Sequence, residues 1–185
     1  LHSDHFDSVA KERVPKHLPL ICRPGHEETI RATGFSDVTP LADTLSWNEL
    51  TFRRCEGSHG LGPVVDKMGP VMGFLLDAPG EPSFYWAGDT VLYPPVTDTI
   101  RRHGPEIIVT HSSGALWDGE LIVMDAAETV AVCELAPQAT IVATHMESLD
   151  HGTVSREDLR LAAGQAGIAP ERLLIPADGE TLTLA

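Results

Sequence analysis

The chain reads as an α/β protein, and two features of its text carry that reading. Its second half alternates apolar strand-like runs with helix-like stretches, and its first half is rich in short strand material. The apolar runs of the second half also end alike. Phe84-Tyr85-Trp86-Ala87-Gly88-Asp89, Ile107-Ile108-Val109-Thr110-His111 and Ile141-Val142-Ala143-Thr144-His145 each pass from apolar to polar. In α/β sheets ligands bind beyond the carboxyl ends of the strands, so these three ends can converge on one site.

In order along the chain, Leu1-His2-Ser3-Asp4-His5 precedes a helix expected from about Phe6 to Arg13. His17 to Cys22 reads as a strand broken by Pro24-Gly25, and Glu27 to Ala32 as a short helix stopped by Gly34. Val38 to Leu41 and Thr44 to Arg54 are strand material, with Trp47, Leu50 and Phe52 as apolar anchors. Gly57 to Pro63 is too glycine-rich for regular structure, and its glycines let the backbone approach whatever His59 faces. Strands follow at Val71 to Asp77 and Ser83 to Ala87, then a helix at Val96 to His103 and a strand at Glu106 to Thr110. A helix over Asp125 to Leu135, a strand over Ala139 to Thr144 and a helix opened by Ser155, with Asp158 three residues on, continue the alternation. Arg172 to Pro176, a hairpin turn at Asp178-Gly179 and Thr181 to Leu184 close it. Trp47, Trp86 and Trp117 are expected mostly in the core, with Trp117, which follows the His111 loop, also a candidate to line a pocket.

One domain, 1–185, is the natural reading of 185 residues with 42% apolar and 22% charged content. A net charge of -14 argues against nucleic-acid and anionic-membrane binding, both of which want basic patches. A small-molecule substrate is the expected partner, and a homo-oligomer is compatible with the composition. Cys22, Cys55 and Cys133 are scattered and odd in number, which fits reduced thiols in a cytoplasmic protein. No run reaches membrane-spanning length and no signal-peptide pattern opens the chain.

The chemistry collects on histidine and aspartate. Neutral imidazole nitrogen and carboxylate oxygen are ligands that suit divalent metals, and His2, Asp4 and His5 place three of them within four positions, against the plainer reading of a solvated N-terminus with chance histidines. Each later candidate has a plainer reading beside it. Taken alone, Asp89 in Gly-Asp-Thr reads first as a structural carboxylate capping a turn or helix. Taken alone, His145, after a fully apolar strand, reads more readily as a satisfied core histidine than as a ligand. His59, between glycines, has no packing reason to be there. His111 ends a strand aimed at the same rim and is a candidate substrate contact, with a polar loop residue as its competitor. Lys67 is a candidate partner for an anionic substrate group, against a plain surface lysine. His151, six residues after His145, is a candidate outer partner of the site against the plainer reading of a solvated loop histidine, and His17, His26 and His103 read as surface or packing residues.

Taken together, the order and chemistry resemble the metallo-β-lactamase superfamily, whose signature is His-x-His-x-Asp-His followed by three further ligands. Gly57-Ser58-His59-Gly60, Lys67-Met68-Gly69-Pro70-Val71, Ala87-Gly88-Asp89-Thr90, Thr144-His145-Met146-Glu147 and Ile175-Pro176-Ala177-Asp178-Gly179-Glu180 are similar to one branch, the metal-dependent hydrolases related to the ascorbate-6-phosphate lactonase. The resemblance implies a four-layer αββα sandwich, here lacking its N-terminal strands. It implies two divalent metal ions, zinc first, with manganese or iron also accepted by this ligand set. His2 and His59 would serve metal one, Asp4, His5 and His145 metal two, with Asp89 bridging. Asp4 would also be catalytic, orienting the attacking water.

The first signature histidine would fall immediately before Leu1, so site one is expected to be the weaker. An upstream segment outside this sequence is expected to carry that histidine and the missing strands. The implied activity is hydrolysis of a small lactone or ester, phosphorylated or not, by water that a metal ion acidifies from a pKa of about 15.7 towards 7. A phosphodiesterase with the same centre, or a non-catalytic metal-binding domain with an incomplete site, are the alternatives.

Overall fold

The structure is a computed structural model and describes residues 1–184. The chain forms two compact units, Leu1–Leu45 and Ser46–Ala185.

The first unit begins with a turn in which the amides of His5 and Phe6 both donate to the His2 carbonyl. α1 (Ser8–Arg13) starts two residues later than the sequence suggests, because the Asp7 side chain caps it by accepting from the Ala10 amide at 2.7 Å. β1 (Leu20–Cys22) and β2 (Val38–Pro40) pair in parallel, with α2 (Glu27–Arg31) between them in sequence. Cys22, Ile30, Phe35 and Val38 form a small core, backed by Phe6 and Leu20.

The second unit is built on a seven-stranded mixed sheet. β3 (Thr44–Trp47), β4 (Leu50–Glu56), β5 (Met72–Asp77), β6 (Phe84–Trp86), β7 (Ile107–His111), β10 (Thr140–Thr144) and β11 (Leu173–Leu174) lie in the order β11-β10-β7-β6-β5-β4-β3. β4–β5 and β5–β6 are antiparallel, whereas β6–β7, β7–β10 and β10–β11 are parallel. β4, β6, β7 and β10 therefore run in one direction and β5 runs against them. The pleat sends alternate residues to opposite faces. One face carries Leu75, Tyr85, Ile108 and Ile141 into the main core, beneath Val96 and Ile100 of α4 (Pro94–His103), Val132 of α5 (Ala126–Leu135) and Leu159 of α6 (Arg156–Gln165). The other face gathers Phe84, Trp86, Ile107, Val109 and Val142 with Leu182 and Leu184.

The helix ends obey local chemistry. α4 begins on Pro94-Pro95 and stops at Gly104, which is left-handed at φ 54°. Asp125 caps α5, and Ser155 with Asp158 forms a reciprocal capping box on α6.

Several expectations need correction. The strand material expected over Thr44 to Arg54 is present, in two strands divided at Asn48, whose φ of 53° cannot continue a strand. Val64–Met68 forms a short helix, α3, and Leu116–Trp117 and Glu120–Leu121 form a small hairpin, β8–β9; neither was expected. Thr181 to Leu184 is not a strand, so the Asp178-Gly179 turn closes no hairpin; Leu182 and Leu184 act by packing on the sheet. Trp47 and Trp117 are 45% and 47% exposed rather than core residues. Among the described residues no helix is long and apolar enough to cross a membrane.

Candidate metal centre

Four strands that run the same way each hand the chain to a histidine or aspartate beyond their carboxyl ends. β4 leads to His59, β6 to Asp89, β7 ends on His111, and β10 leads to His145. Parallel register brings the last three level, since Trp86 lies beside Val109 and His111 beside Thr144. At the end of β6, Gly88 takes a φ of 72°, a conformation that favours glycine, and turns the chain so that Asp89 follows. The Asp89 carboxylate is almost fully buried. His111 donates its Nδ1–H to Asp89 Oδ1 at 2.6 Å, and His145 Nε2 lies 3.9 Å from the same oxygen. The His111 and His145 rings are stacked at 4.7 Å and 11°, and Trp86 meets the His111 ring edge-on at 5.4 Å. His145 holds a φ of 59°, an uncommon conformation for a residue with a side chain and one that concentrates at functional sites.

His59 arrives from the other direction in sequence. Its loop is tied to the Asp89 turn by Ser58 N–H donating to Thr90 Oγ1 at 2.8 Å and Val91 N–H donating to the Ser58 carbonyl at 2.9 Å. Gly60, at φ 99°, is required on steric grounds as well, because a Cβ there would press into Val64 and approach the Leu121 carbonyl at 3.3 Å. The His59 Nδ1–H donates to the Ile122 carbonyl at 2.8 Å. That bond selects the tautomer: in the neutral ring Nε2 is left with its lone pair, and it lies 3.6 Å from Asp89 Oδ2.

This donor set fits a divalent cation. A buried carboxylate is costly unless positive charge or hydrogen bonds compensate it. With Nδ1–H committed to the Ile122 carbonyl, a neutral His59 presents its Nε2 lone pair to Asp89, and two such acceptors face one another favourably with a cation between them. A histidine that donates its other ring N–H to a backbone carbonyl is the usual arrangement of a metal ligand. Asp89, His111 and His145 offer ligand atoms within 4.8 Å of one another, as do His59 and Asp89.

The remaining sequence candidates lie as follows. His2, Asp4 and His5 are in the first unit, with His5 Nε2 at 3.5 Å from Asp4 Oδ2. Lys67, on α3, is exposed and paired at 2.6 Å with Asp118 in the β8–β9 turn. His151 is a half-buried turn residue whose Nδ1 lies 3.4 Å from Asp150 Oδ1. His111 is the residue whose place the sequence under-represents: it is buried against Asp89 rather than presented on a loop. The repeated Thr-His at the ends of β7 and β10 is the signal that points to it. Below it lies a chain of buried hydroxyls, with Ser112 Oγ at 2.9 Å from both Thr110 Oγ1 and Thr129 Oγ1. Beyond His145, Arg156 joins Glu147 to Asp178 and donates from Nε to the Pro176 carbonyl at 2.8 Å. This anchors the loop that follows His145, holds the Glu147 carboxyl below its usual range and raises the guanidinium of Arg156.

The chain is similar to known proteins over most of its length. A β-lactamase superfamily domain matches residues 1–146, a span that includes every candidate ligand from His2 to His145. The UPF0173 protein YddR of Bacillus subtilis (strain 168) is 34% identical over 186 residues, covering 99% of this chain and 73% of its own length. The crystal structure of a possible metal-dependent hydrolase from Veillonella parvula DSM 2008 superposes with a TM-score of 0.94 at 33% identity, over 99% of this chain and 73% of that one. That of an isothiocyanate hydrolase from Delia radicum gut bacteria gives 0.93 at 33% identity, over 100% and 74%.

Proposed function

This chain belongs to the β-lactamase superfamily and has its metallo-β-lactamase fold, and we propose that it is a metal-dependent hydrolase acting on a small molecule with an electron-poor carbon. The observation that carries this reading is the buried Asp89 carboxylate ringed by His59, His111 and His145. By their place in the family signature, His2, Asp4 and His5 join the centre, His2 with His59 and Asp89, and Asp4 and His5 with Asp89 and His145. Zinc suits this set best, and manganese or iron is also compatible with it. A bound divalent ion lowers the pKa of water to about 7 and polarises the oxygen that gains charge.

The chain's own groups supply the rest. His59 presents Nε2 because Ile122 holds its Nδ1 proton. Burial of His59, Asp89 and His111 keeps competing water from their polar atoms and strengthens their electrostatics. To Asp4 we assign the acceptor that orients the attacking water. None of the three thiols competes for the role of nucleophile: Cys22, Cys55 and Cys133 are all buried, and desolvation raises each of them, Cys55 and Cys133 up to about 11.

The substrate we infer is a lactone or ester, phosphorylated or not. A second reading is favoured by the relative named isothiocyanate hydrolase, since the central carbon of an N=C=S group is as open to water as a lactone carbonyl. A panel of zinc-loaded assays on lactones, esters, isothiocyanates and phosphodiesters separates these. One of the carbon electrophiles is expected to turn over, and Asp89→Ala is expected to abolish it. Turnover of phosphodiesters alone would contradict the substrate class. Equal turnover by a folded Asp89→Ala would contradict the centre itself.

A further inference from the structure

We infer that His111, which has no place in the family signature, is the positioning residue of this centre: one imidazole sets the orientation of two ligands, Asp89 and His145. The inference rests on the hydrolase reading above.

Three observations carry it. The bond from His111 Nδ1 to Asp89 Oδ1 is short, at 2.6 Å, and both side chains are at most 7% exposed. A charge-assisted hydrogen bond in such surroundings is among the stronger kinds. The His111 ring is also held on two sides, by the His145 ring stacked on it and by the Trp86 edge. Its backbone is locked in the sheet, where His111 pairs with Thr144 and the next amide, Ser112 N–H, donates to the Thr144 carbonyl at 3.0 Å.

The consequence follows from the freedom of a carboxylate. The terminal torsion of an aspartate is broad, so its two oxygens are poorly placed unless something holds one of them. His111 takes Oδ1 and thereby leaves Oδ2 facing His59 Nε2 at 3.6 Å. The same ring, stacked on His145, limits how that imidazole can tilt. Outer partners of this kind raise metal affinity by holding ligands in place rather than by binding the ion.

Zinc affinity of the full chain, measured by competition with a chromophoric chelator, tests this apart from any activity, with circular dichroism as the check on folding. His111→Ala is expected to weaken zinc binding about 10- to 100-fold. His111→Asn, whose side-chain amide reaches the position of Nδ1, is expected to recover most of that loss. His111→Gln, whose amide reaches toward the position of Nε2, is not. Parental affinity in His111→Ala would overturn the inference and leave the hydrolase reading intact. Asn as weak as Ala, or Gln at or above Asn, would overturn it too, by showing that the imidazole itself binds the ion. Should His111→Ala not fold, the order of Asn and Gln decides the same question. A parent chain that binds no zinc would overturn the hydrolase reading and this inference with it.

Discussion

In the parallel half of the large sheet, β6, β7 and β10 deliver Asp89, His111 and His145 to one edge; in the antiparallel half only β4 delivers a candidate ligand, His59. β5 runs the other way and contributes packing alone, through Leu75 to the core and through Gly73, where a Cβ would meet the Trp86 carbonyl at 2.6 Å. Strand direction explains the difference. Neighbouring parallel strands all end on the same edge, whereas antiparallel neighbours alternate. A site needing several convergent side chains is therefore dense where the sheet is parallel. The antiparallel half serves it as scaffold and as the route by which His59 arrives.

This division makes the two halves separable by mutation. His145→Asn tolerates the left-handed backbone at that position. It is expected to cut hydrolysis by more than the roughly 10- to 100-fold typical of losing an outer partner, with little change in melting temperature. Leu75→Ala should do the reverse. Leu75 is buried in the antiparallel half, so the cavity should cost about 2–5 kcal/mol of stability in a denaturation curve, while zinc affinity of the folded protein stays parental. Loss of zinc affinity in a folded Leu75→Ala would show that the halves are not separable in this way.

Tyr85 lies at the junction, on β6, and provides the smallest test. Its hydroxyl is buried with no hydrogen-bond partner among the described residues, and desolvation pushes its ionisation far above the ordinary range. Tyr85→Phe is expected to leave stability unchanged or raise it by up to about 1 kcal/mol, because it removes an uncompensated polar group. A clear loss of stability would mean that the hydroxyl has a partner.

Much of this arrangement is legible in the amino-acid sequence. The polar residues ending Phe84 to Asp89, Ile107 to His111 and Ile141 to His145 marked the edge where they collect, and Ser155 with Asp158 marked the start of α6. What was not legible depends on register and long-range contact. That His111 bonds Asp89 requires the β6–β7 pairing to be known, and the carbonyl that selects the His59 tautomer lies 63 residues away at Ile122. Trp47 and Trp117 misled for a related reason. A large apolar side chain signals burial only on average, and these two lie on a strand at the edge of the sheet and on a small hairpin. Asn48 left the helix and strand pattern untouched in composition but broke one strand into two through its backbone alone.

The central claim is that Asp89 and the imidazoles around it are a metal centre. Zinc content of the purified chain after loading and exhaustive dialysis, parent beside Asp89→Ala, tests it most directly. The parent is expected to retain zinc and the folded variant to lose it. Equal zinc in both, or none in the parent, would contradict the claim.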